Sequence, residues 1–197
     1  MVFPLHVFEP RYRAMIKHCL DNQVPVAICH TEKVLHHTEP SEVLEEALNT
    51  NQDTYKPKSV FSAGPCELYE TLDDGRLLIN VYVSRRYRLN EITQTLPFNI
   101  AQCDELHDEP LNEEELSELD QLKDKVMHRL IALSSNEQDV LEILESEAWQ
   151  TMPASEFSFA VFGLIQVDPE VQQSQLETTN PIQRLDTMLS ILNNIKP

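Results

Sequence analysis

At 197 residues the chain holds one large domain or two small ones, and 41% hydrophobic content is ample for a packed core, which excludes disorder throughout. The net charge of −18 is unevenly spread: residues 1–106 carry 15 acids and 10 bases, residues 107–197 carry 18 acids and 5 bases. Such a field repels nucleic-acid phosphate and anionic lipid, so any nucleic-acid role has to lie in the first half.

The opening run Phe3-Pro4-Leu5-His6-Val7-Phe8 reads as a short apolar strand, with Pro4 holding its predecessor extended. A helix follows directly. Pro10 suits the first helical turn, Glu9 suits the exposed N–H groups there, and Tyr12, Met15, Ile16, Cys19 and Leu20 recur at helical spacing to about Asn22. Val24–Cys29 reads as a buried strand and residues 31–57 as polar and irregular, save for a short helix that Ser41 caps and that runs through Asn49. Lys58–Leu72 and Arg76–Val83 flank Asp73-Asp74-Gly75, a tight-turn signal and the strongest hairpin in the chain. Arg85–Thr93 and Phe98–Leu106 add two strands about Pro97.

Beyond Leu106 the apolar period changes from two to about 3.6. Asn112 with Glu115 makes a capping box, after which Leu116, Leu119, Leu122, Val126, Leu130 and Leu133 form one stripe of a long helix. A second helix starts at Asn136 with Val140, Leu141, Ile143 and Leu144 as its apolar face, and a third runs from about Ser155 to Val167. Asp168-Pro169 and Asn180-Pro181 each supply an N-cap followed by proline. The expected fold class is therefore α+β, a strand-rich domain over 1–107 and a helical bundle subdomain over 108–197.

Little catalytic chemistry is on offer. With only three glycines, neither a phosphate-cradling loop nor a dinucleotide fingerprint can be assembled. No serine lies in a nucleophile elbow, and Ser84 has no local base. Cys29, His30, His36 and His37 form the tightest set of metal-ligand types, but their spacing matches no recurrent motif and no metal or cofactor is expected. The four cysteines lie far apart in apolar segments, which fits reduced thiols. Arg86 and Arg88, sharing one strand face beside Tyr87, are the candidate RNA contacts, while Arg85 falls on the other face. No apolar stretch approaches the roughly 20 residues that span a bilayer, and no leader pattern opens the chain, so the expected location is the cytoplasm.

Four stretches in order resemble the Lon protease N-terminal domain family, the so-called substrate-binding domain. Pro4-Leu5-His6-Val7-Phe8-Glu9-Pro10-Arg11-Tyr12-Arg13-Ala14-Met15 is close to the signature P-L-H-I-F-E-x-R-Y-x-x-M. Asp73–Val81 is similar to its D-G-R-x-x-I-x-V hairpin, and Arg86-Tyr87-Arg88-Leu89 with Pro97–Ala101 to its R-[FY]-R-[IL] and P-Y-x-x-A strands. Phe157–Leu164, Gln173–Glu177 and Pro181–Leu185 look like its closing helices. The resemblance implies a PUA-like β-barrel followed by helices, with no ATPase or peptidase module and no catalytic residue to carry over.

It also implies a noncatalytic, ATP-independent partner for unfolded or extended polypeptide, an adaptor to a protease or chaperone, with Phe3, Leu5, Phe8, Glu9, Arg11 and Tyr12 as candidate peptide contacts. RNA binding through the barrel is the alternative, and a small hydrolase built on the histidines and carboxylates a third reading. The family has a further strand and an F-P-G turn ahead of this opening, so Phe3–Phe8 is expected to border an open edge. That edge is expected to pair with a second copy, to be filled by another segment, or to be completed by residues upstream of a misplaced start.

Overall fold

The computed structural model describes residues 1–36, 54–135 and 137–195. The expected helix from Ser41 to Asn49 and the helix start at Asn136 lie outside them. Two compact units are present, Met1–Leu106 and His107–Pro197.

In the first unit, β1 (Val2–Val7) leads into α1 (Pro10–Asn22), with Pro10 in the first turn. Gln23 ends the helix in the left-handed region at φ 54°, its N–H donating to the Cys19 carbonyl. α1 packs Ile16 and Cys19 against Val7, Ile79, Val81 and Val26, the core of this unit. β2 (Val26–Ile28) follows. Where irregular chain is expected, β3 (Thr31–His36) and β4 (Thr54–Pro57) pair as an antiparallel ribbon. Neither strand alternates apolar with polar residues, charge intervenes as in the Lys56–Glu32 ion pair at 2.6 Å, and the two are separated in sequence by residues 37–53.

The single strand expected over Lys58–Leu72 is two, β5 (Val60–Gly64) and β6 (Cys66–Thr71), in different sheets. Pro65 makes the corner, having no N–H to give to either ladder, while its carbonyl accepts the Tyr82 N–H at 2.9 Å. A Cβ on Gly64 would stand 1.9 Å from the Tyr82 carbonyl oxygen, so this close approach admits glycine alone. β7 (Leu77–Tyr82) returns beside β6 through a turn in which Gly75 takes φ +82°. β8 (Arg85–Gln94) and β9 (Ile100–Glu105) complete the unit, joined through a cis Leu96–Pro97 bond.

The ladders run β1-β7-β6, β2-β5-β8-β9 and β3-β4. The chain is α+β, but where one barrel is expected these are three separate sheets. No ladder among the described residues closes them, because the Gly64-Pro65 corner moves the chain from one sheet to another.

The second unit opens on α2 (Glu113–Leu133) behind the expected capping box: Asn112 Oδ1 accepts from the N–H groups of Glu114 and Glu115, both at 3.0 Å, and the Asn112 N–H donates to Glu115 Oε2 at 2.8 Å. Leu119, Leu122, Val126 and Leu130 are buried as the stripe predicts, whereas Leu116 is exposed. α3 (Gln138–Glu145) buries Leu144 and leaves Ile143 outside. After α4 (Glu147–Gln150), α5 (Ala154–Ala160) runs into a 3₁₀ turn at Val161–Gly163, then α6 (Pro169–Glu177) and α7 (Pro181–Asn194) follow their Asp168 and Asn180 caps. Phe157, Val161, Leu185, Met188 and Leu192 fill the centre. Trp149 meets Phe157 edge-on, ring centroids 5.7 Å apart. Arg184 is wholly buried among them.

Candidate functional site

An open, partly apolar groove of the first unit lies across the β1-β7-β6 sheet. The two hydrogen bonds that Met1 exchanges with Val83, at 3.1 and 2.9 Å, set the phase of the β1 ladder. With Leu5 opposite Ile79, the alternation turns the backbone groups of Phe3, Leu5 and Val7 toward β7 and those of Val2, Pro4 and His6 away from it. β1 is the end strand of its sheet, so the second set faces no ladder among the described residues. Pro4 occupies the middle of that set and offers a carbonyl without an N–H.

Beside this edge a groove of ≈ 400 Å³ is lined by Pro4, Leu5, His6, Tyr69, Leu78, Ile79 and Asn80. Tyr69 sits at a register irregularity between Leu68 and Glu70, and is 77% exposed. Two residues after Glu67, the partner of Asn80, alternation turns the Tyr69 ring to the face that Pro4, His6, Leu78 and Asn80 share. On the same strand Glu67 accepts the Tyr82 hydroxyl at 2.9 Å, and this hydrogen bond holds the phenol proton above its ordinary range.

The expected contacts divide. Leu5 reaches the groove, Phe3 is half-buried against the core, and Phe8 sets its ring 6.4 Å from that of His6. Glu9 and Arg11 turn toward each other rather than outward: Glu9 is buried, its carboxylate lies 2.9 Å from the Arg11 guanidinium, and Arg11 donates to Thr54 Oγ1 on β4 at 3.0 Å. They form an internal clasp between the helix entrance and the ribbon. Glu9 therefore makes no capping hydrogen bond. Arg11 also covers the Tyr12 ring at 4.7 Å, and burial pushes the Tyr12 hydroxyl above the usual phenol range against the pull of that cation.

Arg86 and Arg88 do not make one cationic surface. Arg86 is buried, Arg88 is exposed, and Arg85 on the opposite face pairs with Glu105 at 3.1 Å. Of the metal-ligand types, Cys29 has its thiol pushed up to about 12 by burial and by neighbouring Cys103, which disfavours the thiolate a metal needs. His37 and the His36 side chain lie outside the described residues. Among those residues no group of three or more His, Cys, Asp or Glu is placed to hold a metal. Leu5 is the one groove residue among the sequence candidates; Pro4, His6, Tyr69, Leu78, Ile79 and Asn80 were missed.

Strand-rich and helical units in this order define an α+β protein. The chain belongs to the family of the ATP-dependent protease La (LON) substrate-binding domain, whose model matches residues 1–194. That match leaves no room within the 197 residues for an ATPase or peptidase module. The N-terminal domain of the Mycobacterium avium complex Lon protease is 14% identical, with a TM-score of 0.65 over 100% of this chain and 91% of that one. A Lon N-terminal domain protein from Xanthomonas campestris is 16% identical, with a TM-score of 0.51 over 96% and 89%. At such identities these likenesses show the fold alone. No curated protein matches the chain.

Proposed function

We propose that the protein is a noncatalytic polypeptide-binding module, an adaptor in proteolysis or quality control, that takes an extended segment along β1. The observation that carries this reading is the groove over the β1-β7-β6 sheet, with Pro4 and His6 of the edge strand on one side of it and Tyr69 of β6 on the other. Main-chain pairing supplies sequence-independent affinity, and the pocket under Tyr69 selects apolar side chains. Because Pro4 interrupts the row of donors, the pocket has to contribute more than pairing alone. Family membership supports substrate binding. A PUA-like relation among the sheets and a cytoplasmic location belong to the same reading, and among the described residues no helix is long and apolar enough to cross a membrane.

Crosslinking to a permanently unfolded model protein tests it. Tyr69→Asp, at an exposed position, is expected to cut capture severalfold without lowering the melting temperature. His6→Pro, which removes an outward N–H together with the imidazole, is expected to weaken capture more than His6→Ala, which removes the imidazole alone. Capture no greater than that by an inert acidic protein, or indifferent to Tyr69→Asp and His6→Pro alike, would sink the proposal.

A further inference from the structure

A second surface, on the helical unit, has the marks of a docking site for a different kind of partner. Leu116 stands on α2 one turn before the buried Leu119, yet it is 50% exposed. It borders a groove of ≈ 330 Å³ floored by Leu111, Leu119, Ala154 and Pro181. The rim carries Asp108, Glu109 and Asp120, and among the described residues no lysine or arginine lines it. Glu113, three residues before Leu116, continues the acidic border along the helix.

Buried Arg184 neutralises Asp108, so the charge of the rim rests on Glu109 and Asp120. Lys123 donates to the carbonyls of Gln150 and Met152 at 3.0 and 2.6 Å, and Arg129 to those of Leu192 and Ile195 at 3.3 and 2.9 Å. Each closes a helix end within its own unit. An apolar floor behind a rim of one sign complements a segment that carries a bulky apolar side chain between cations. A second copy of this chain fits poorly, because residues 107–197 hold 18 acids against 5 bases and two such surfaces repel.

We infer that the groove between Leu116 of α2 and the Pro153–Ser155 start of α5 docks a basic, apolar-anchored segment of a partner protein. This site is independent of the β1 groove. Fluorescence polarisation on the full chain tests it, with three short labelled peptides: a leucine flanked by lysines, the same peptide with glutamates for lysines, and the same with serine for leucine. The lysine–leucine peptide is expected to bind best and to weaken with added salt. Leu116→Ser or Asp120→Lys is expected to cost it about tenfold in affinity, and Tyr69→Asp nothing. Circular dichroism melts check that these exposed substitutions leave the fold intact. Equal binding of lysine and glutamate peptides overturns the inference, as does binding that ignores Leu116 and Asp120 or follows Tyr69 instead. Sedimentation that showed a dimer dissociated by Leu116→Ser would assign the groove to a second copy and overturn it too.

Discussion

Among the described residues Arg184 is the largest side chain fully enclosed, and its guanidinium is spent on several partners at once. Its fork meets both Asp108 carboxylate oxygens, Nη1 also donates to the Thr178 carbonyl at 2.9 Å, Nε donates to Ser158 Oγ at 2.9 Å, and the Phe159 ring lies 3.8 Å away. A charge so placed is tolerable only while all its partners remain. Arg184→Ala is expected to lower unfolding free energy in urea by about 3–5 kcal/mol, and Arg184→Lys to recover little, since a point charge cannot replace the planar fork. Recovery by lysine would show that charge alone suffices.

The cysteines give a second residue-scale test. Burial raises Cys29 to about 12 and Cys19 to about 11, above the ordinary thiol range that the unfolded chain regains. The folded state therefore holds these protons more tightly, and the stability so gained is complete below about pH 9 and lost as pH climbs toward 11–12. Denaturation midpoints are expected to fall across that window. Alkylation at pH 8 is expected to be slow in the native protein and fast in urea, and equal rates would remove the argument.

Among elements, helix starts were the most legible. Pro10, the Asn112–Glu115 box, Asp168-Pro169 and Asn180-Pro181 are consecutive residues whose chemistry acts within one turn, so no distant partner is needed to read them. The β3–β4 ribbon was illegible because neither strand has an apolar face of its own and their pairing spans residues 37–53. The corner at Gly64-Pro65 is visible in sequence only as two residues that weaken a strand, and its meaning depends on Tyr82 from β7. The same holds for the β1 groove: Leu5 lay in a recognisable stretch, but Tyr69 joins it only through the pairing of β6 with β7. Gly64→Ala is expected to cost about 1–3 kcal/mol and to broaden amide resonances of β5 and β7 first. An unperturbed melt would mean that the Tyr82 carbonyl moves aside freely.

For the whole molecule, charge is the dominant variable. At a net −18 the compact state works against its own repulsion, more so in the helical unit, where three of the five bases are engaged at helix ends or in the core. Sodium chloride at about 0.5 M is expected to raise the melting temperature of the chain, whereas an equal osmolality of a neutral solute is not expected to reproduce the full effect. A melting point that fell with salt would point to ion pairs, not repulsion, as the governing term.

The distribution of chromophores gives the two units separate optical identities. All five tyrosines fall within residues 1–106, and the one tryptophan, Trp149, sits in the helical unit with its ring against Phe157. Red-edge excitation therefore addresses the helical unit alone, and the tyrosine absorbance shift on solvent exposure reports the strand-rich unit. A single unlabelled sample can show whether the halves melt together or in turn, and which of them first senses an added peptide.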